Sequence, residues 1–184
     1  MAFRQNTTVT SSKLLVGNCK VETSATANGT YVNLGIGRTS GLTYNVEKYT
    51  CQSGNGPDPL EGIAKETVTA DIELMEYDAS VLSAIQCGAV TSDTSTSSTI
   101  STLNAGGNTV LTPRAFKFTQ TSMAAGATKQ TIITVYYATI GGFSFAFKDD
   151  QDADPIGVMT FAMEGECDTA RTVGSQLFKI VKDI

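Results

Sequence analysis

The chain has 184 residues, 41% of them hydrophobic and 17% charged, enough for one domain with a proper core and too few for two full ones. Its 13 Lys and Arg stand against 18 Asp and Glu, a net charge of −5 that argues against gripping nucleic acid by displacing counterions from phosphates. There is no histidine, which removes Ser-His-Asp and Cys-His nucleophilic arrangements and the commonest metal ligand.

Residues 1–12 are polar and rich in Thr and Ser, and read as a flexible N-terminal arm. The start, Met1-Ala-Phe-Arg-Gln-Asn6, has no apolar h-region, so no secretory signal is expected, and no run is long and apolar enough to cross a bilayer. From Leu14 to Thr26 the pattern predicts a strand, with Cys19 and Val21 opposed to Lys20 and Glu22, and Ala27-Asn-Gly-Thr30 predicts a turn. The stretch from Tyr31 to Thr39 is a second strand, with Val32, Leu34 and Ile36 facing inward and Gly35 and Gly37 as punctuation. Ser40-Gly41 then turns the chain into a third, Leu42–Cys51, which places Leu42, Tyr44 and Val46 on one face and Thr43, Asn45 and Glu47 on the other.

The connection over 52–63 is longer than a hairpin turn needs. Pro57 and Pro59 lower the entropy cost of ordering it, and Leu60 and Ile63 are placed to anchor it on an apolar surface. From Lys65 to Tyr77 another alternating run puts Val68, Ala70, Ile72 and Leu74 on a dry side and Lys65, Thr67, Thr69, Asp71 and Glu73 on a wet one. Asp78 as N-cap, followed by Val81, Leu82 and Ile85, predicts a short helix ending near Gly88. The Thr/Ser/Asn/Gly composition of 89–112 predicts a mobile insertion. A second β block follows, with strands near 115–119, 131–140, 143–148, 156–166 and 176–182, and with Gly141-Gly142 as a tight turn. Phe143, Phe145 and Phe147 share one face, read as a core face. Together these elements predict a mainly antiparallel β-sandwich or barrel with one short flanking helix.

The residues that bear chemistry do not form an active site. Asp71 and Glu73 lie two apart on one strand face, as glycosidase carboxylates can, but there is no Trp for sugar stacking and a solvated polar face explains them better. Asp150-x-Asp152-x-Asp154 begins like a calcium loop, then has Pro155 and Phe161 where that loop requires Gly and Glu. The four cysteines form no C-x-x-C pair and read as reduced small hydrophobes of a cytosolic protein, with disulfides as the alternative. No enzyme, cofactor or metal is expected.

The strings Leu42-Thr-Tyr-Asn-Val-Glu-Lys-Tyr-Thr50, Gly56-Pro-Asp-Pro-Leu-Glu-Gly-Ile-Ala-Lys-Glu-Thr-Val68 and Ile72-Glu-Leu-Met-Glu-Tyr-Asp78, with a short helix after them, resemble the major tail (tail tube) proteins of long-tailed bacteriophages. The Phe143–Phe147 strand, the acidic 149–154 turn and the apolar 156–163 strand are similar too, whereas 90–112 departs from the pattern. The resemblance implies a subunit of the virion tail, assembled in the host cytoplasm. It implies self-association into hexameric rings stacked as a tube, with tail terminator, tail tip and tape-measure proteins as further partners. DNA would pass through the lumen without specific binding, and no membrane is involved. On this reading Glu47, Asp71 and Glu73 line the lumen, and Gly54, Pro57, Asp58, Pro59, Leu60 and Ile63 form the ring-to-ring contact loop. The alternative is an immunoglobulin-like virion decoration or adhesion protein, whose polar sheet face would be a binding surface.

Overall fold

The computed structural model describes residues 19–51, 60–77, 89–93, 100–104, 111–121, 130–147 and 158–182. Among these residues nine strands run in chain order as β1 (Cys19–Ser24), β2 (Val32–Cys51), β3 (Leu60–Tyr77), β4 (Ala89–Asp93), β5 (Ile100–Asn104), β6 (Arg114–Thr121), β7 (Gln130–Ala146), β8 (Val158–Gly165) and β9 (Phe178–Lys182). Every pairing among them is antiparallel. The predicted helix after Asp78, most of the 52–63 connection and the acidic turn at 149–154 lie outside the described residues.

The main sheet has the order β6-β1-β2-β3-β8-β7-β9, and β6 also pairs β7, so the pairings run round in a ring. The ring is not a barrel, because β2 and β7 each serve two neighbourhoods. β1 pairs β2 only over Val32–Gly37, whereas β3 pairs it over Gly35–Cys51. Likewise β6 pairs the first half of β7, up to Ala138, and β8 pairs the second half, Ala138–Ala146. The result is one four-stranded portion, β2-β3-β8-β7, and a second portion built from β9, the first half of β7, β6, β1 and the first half of β2.

Two expected turns prove to be the corners between these portions. β2 continues through Ser40-Gly41 and β7 through Gly141-Gly142, and the register shifts at Gly37/Ser40 and at Ile140/Gly142. A β-bulge bends a strand without ending it, and residues with turn chemistry also suit a bulge, so sequence alone could not separate the two.

The core fills the space between the portions. Val68, Ala70, Ile72 and Leu74 of β3, with Met159, Phe161 and Met163 of β8, belong to one buried cluster with Val21, Phe116, Phe118 and Val135 from the other portion. Gly165 is buried here, and a Cβ on it would sit 2.8 Å from Val135 Cγ1 and 3.0 Å from Val68 Cγ1, so only glycine fits. At the edge of the core Glu22 is buried between two cations, 2.8 Å from Lys20 Nζ and 2.7 Å from Lys117 Nζ. Burial alone would raise its carboxyl, but the Lys117 and Lys20 hydrogen bonds and charges outweigh that and hold it below the usual carboxylate range.

Some expected core positions are exposed. Phe143 packs on the core, but Phe145 is half-buried at best and Phe147 is 93% exposed, because β8 ends opposite Ala146. Leu34 is buried while Val32 and Ile36 are exposed; the register shift between Val21 and Glu22 leaves Leu34 without a β1 partner and breaks the alternation. The 89–112 stretch holds the antiparallel pair β4–β5, which its composition did not signal. The turn at Ala27–Thr30 is present, closed by Gly29 N–H donating to Thr26 O at 3.0 Å.

Candidate assembly interface

The register fixes which side chains share a face. Across β2, β3, β8 and β7, one row aligns Thr43, Thr69, Glu164 and Thr139, and the next aligns Gly41, Asp71, Ala162 and Gly142. Glu73 sits opposite Thr160, which in turn opposes Ser144, and Glu47 sits opposite Lys65. The opposite face carries Leu42, Ala70, Met163 and Ile140 in one row, and Ile72, Phe161 and Phe143 in another. A four-stranded sheet with one apolar face on the core therefore turns a broad polar face outward.

Glu47, Asp71 and Glu73 are brought onto that one face, as their alternation with Thr predicted. Glu164 and Glu166 join them, and sequence reading had not singled these out. The signal was present in the Thr160-x-Ala162-x-Glu164-x-Glu166 alternation, but the apolar 156–163 run masked it. Lys65 is the cation described on this face, 3.6 Å from Glu164 and 3.5 Å from Glu166. Desolvation alone would lower its pKa, but Glu166 and Glu164 together outweigh that and raise it. Asn45 Nδ2 donates to Thr69 Oγ1 at 3.4 Å, tying β2 to β3 on the same side.

Among the described residues the edges of the four-stranded portion are open. Beyond Gly37, the β1-side edge of β2 has no described partner as far as Cys51. At the other end of the order, the β6-side edge of β7 is unpaired from Thr139 to Ala146 among the described residues. Unpaired backbone edges of this length are sites for addition of another chain.

The β2–β3 hairpin also projects past its neighbours. β8 covers β3 only from Val68 to Leu74, so Leu60–Thr67 stands out with β2 as an arm. Val46, Tyr49 and Ile63 on this arm, and Tyr44 at its base, are all substantially exposed. Tyr44 donates to Glu66 and meets Phe178 edge-on, with ring centroids 5.6 Å apart. The expected contact loop is shorter than its sequence implied. Leu60 and Ile63 already belong to β3, paired with Cys51 and Lys48, whereas Gly54, Pro57, Asp58 and Pro59 lie outside the described residues.

The remaining chemistry is sparse. Among the described residues no group of three or more Cys, Asp or Glu is placed to hold a metal ion, and Cys51 and Cys167 are free thiols. An open groove of about 620 Å³ lies between the 25–28 turn, Tyr136–Tyr137 and the 168–175 turns. Arg171 fills part of it as a strut, its guanidinium 3.6 Å from the Tyr136 ring centroid and bonded to Asn28 and Asp168.

No protein-family model matches the sequence, and no curated protein does. Solved structures do. The anti-feeding prophage cap (AFP tube terminating cap) superposes over 100% of both chains with a TM-score of 0.52 at 10% identity. A chain of the extracellular contractile injection system PVC sheath-tube complex, in its extended state, covers 91% of this chain and 89% of its own with a TM-score of 0.48 at 8% identity. At such identity the first likeness concerns the fold alone.

Proposed function

We propose that this chain is a structural subunit of a tail-like tube, joined to copies of itself through the open edges of β2 and β7. The observation that carries this reading is the pairing of those two edges on opposite sides of one four-stranded sheet. With an even number of antiparallel strands, β2 and β7 run in opposite directions. Adding the β7 edge of one copy to the β2 edge of the next therefore continues the antiparallel alternation without a break. Such a head-to-tail contact generates a ring if the rotation closes, and closure removes both exposed edges at once.

In such a ring the core-facing side of the sheet lies outward, under the second portion, and the polar face lines the bore. Glu47, Asp71, Glu73, Glu164 and Glu166 then repel phosphates and offer almost no cation for counterion release, which suits a channel that DNA passes without sticking. The hexameric ring, the stacking into a phage tail tube, the tail terminator, tip and tape-measure partners, and the place in the virion tail come from the resemblance of the sequence strings. The fold likeness to a tube-terminating cap supports a tail role, and no catalytic function is proposed.

Negative-stain microscopy of the concentrated protein tests the reading. Annuli or filaments are the expected result, and a protein that stays monomeric under conditions favouring association overturns it. A second reading, favoured by the cap neighbour, is a single ring that ends a tube rather than one that repeats along it. Rings that form and never stack would select it.

A further inference from the structure

The apolar side chains flanking the two edges are only partly buried in the single chain. Beside the β2 edge, Leu42 packs partly on the core, while Tyr44 is 46% and Val46 37% exposed. Beside the β7 edge, Phe143 is partly buried and Phe145 is 39% exposed, the two rings meeting edge-on with centroids 5.4 Å apart. All five lie on the core side of the sheet. Leu42 is in the row of Ala70, Tyr44 opposes Val68, Phe143 opposes Phe161 and Phe145 opposes Met159. Two apolar strips thus share one face at opposite margins of the same sheet, each ending where backbone pairing ends.

We infer that the occupant of each strip is the other strip on a second copy, so that Phe143 and Phe145 of one copy pack against Leu42, Tyr44 and Val46 of the next. The inference rests on the edge-to-edge reading above and names the side chains that hold the joint. Within one copy Phe143 is level with Ser40, and Ile140 with Leu42, following the register across the four strands. A closed barrel slants its strands, and a tilt of roughly 36° corresponds to a shear of about one residue per strand. Four strands per copy therefore offset β7 from the next β2 by about four residues. Taken toward the hairpin arm, that offset sets Phe143 level with Tyr44 and Phe145 level with Leu42, with Val46 beside Ile140. Aromatic and branched residues facing each other across antiparallel strands are the pairs that stabilise a sheet most. A partly exposed apolar strip beside an edge with no partner among the described residues is what such a joint leaves behind when the copies separate.

The test uses the full chain with single and paired charge substitutions, read by light scattering and negative stain. Phe145→Glu and Tyr44→Lys each place a charge in the strip, and each is expected to raise the concentration for assembly by more than about tenfold. Circular dichroism should be unchanged, because both side chains are substantially exposed in the monomer. The double variant Phe145→Glu/Tyr44→Lys is expected to regain rings through a charge pair on the diagonal across the joint, within reach of the long lysine side chain. Single variants that assemble like the parent, or a double variant no better than either single one, overturn the inference while parent rings leave the edge-to-edge reading standing. A parent protein that never assembles removes both.

Discussion

Tyr49 lies against the backbone of Gly62, its cross-strand partner near the end of the β2–β3 arm, so that a Cβ placed on Gly62 would collide with the hydroxyl edge of the tyrosine ring, at Cζ, Cε1 and the hydroxyl oxygen. The aromatic ring supplies the cover that glycine lacks and keeps water off an exposed stretch of ladder. Gly62→Ala is expected to push the ring off the strand and cost about 0.5–1 kcal/mol locally. Faster amide exchange at Thr50 and Glu61, with the core amides unchanged, is the measurement that checks it.

Gly165→Ala tests the core rather than the arm. The new methyl would meet Val135 and Val68 side chains at 2.8 and 3.0 Å in a fully buried setting, where the neighbours have little room to give. Overpacking of this kind costs about 1–3 kcal/mol, so the midpoint of urea unfolding should fall clearly with an unchanged slope.

Glu22 gives the fold a pH dependence of known sign. Its folded carboxyl titrates below the unfolded value because Lys117 and Lys20 hold the charged form. The contribution is therefore fully present above the ordinary glutamate range and lost as pH falls through the lowered folded value. Glu22→Gln should destabilise the protein at pH 7 by about 1–2 kcal/mol and flatten the fall in stability between about pH 5 and 3. Thermal melts of parent and variant across that range will show whether the curves converge in acid.

Salt should favour assembly. In the proposed ring, copies of Glu47, Asp71, Glu73, Glu164 and Glu166 would surround one bore, with Lys65 as the described opposing charge. Their mutual repulsion is screened over about 10 Å at 0.1 M ionic strength. Sedimentation should show larger species at 0.3 M than at 0.02 M salt, and Asp71→Asn with Glu73→Gln should shrink the difference.

Much of the strand pattern was legible because half-buried strands alternate. The rows Val68-Ala70-Ile72-Leu74 and Thr67-Thr69-Asp71-Glu73 fall on the faces their spacing predicts, and Asp71 and Glu73 do share a surface with Glu47. What alternation cannot report is where a strand outlasts its partners. Tyr44, Val46 and Phe145 carry core-like spacing yet are exposed, since burial depends on how far a neighbouring strand reaches, and that is a long-range property. Glycine was the other source of error. Gly41 and Gly142 sit in strands that bend, and a bend and a reversal call for the same residue. Glu164 and Glu166 went unread because the acidic face is assembled from strands about ninety residues apart, which only the register brings together.

The bent strands also set how the molecule carries load. β2 and β7 each offer an open margin in one portion and are stitched into the other portion by β1 and by β6. Tension applied at either margin is therefore shared by ladders on both sides of the corner and drawn as shear along many hydrogen bonds, instead of peeling one strand from the rim. A subunit wired in this way can be pulled from both sides and keep its interior shut.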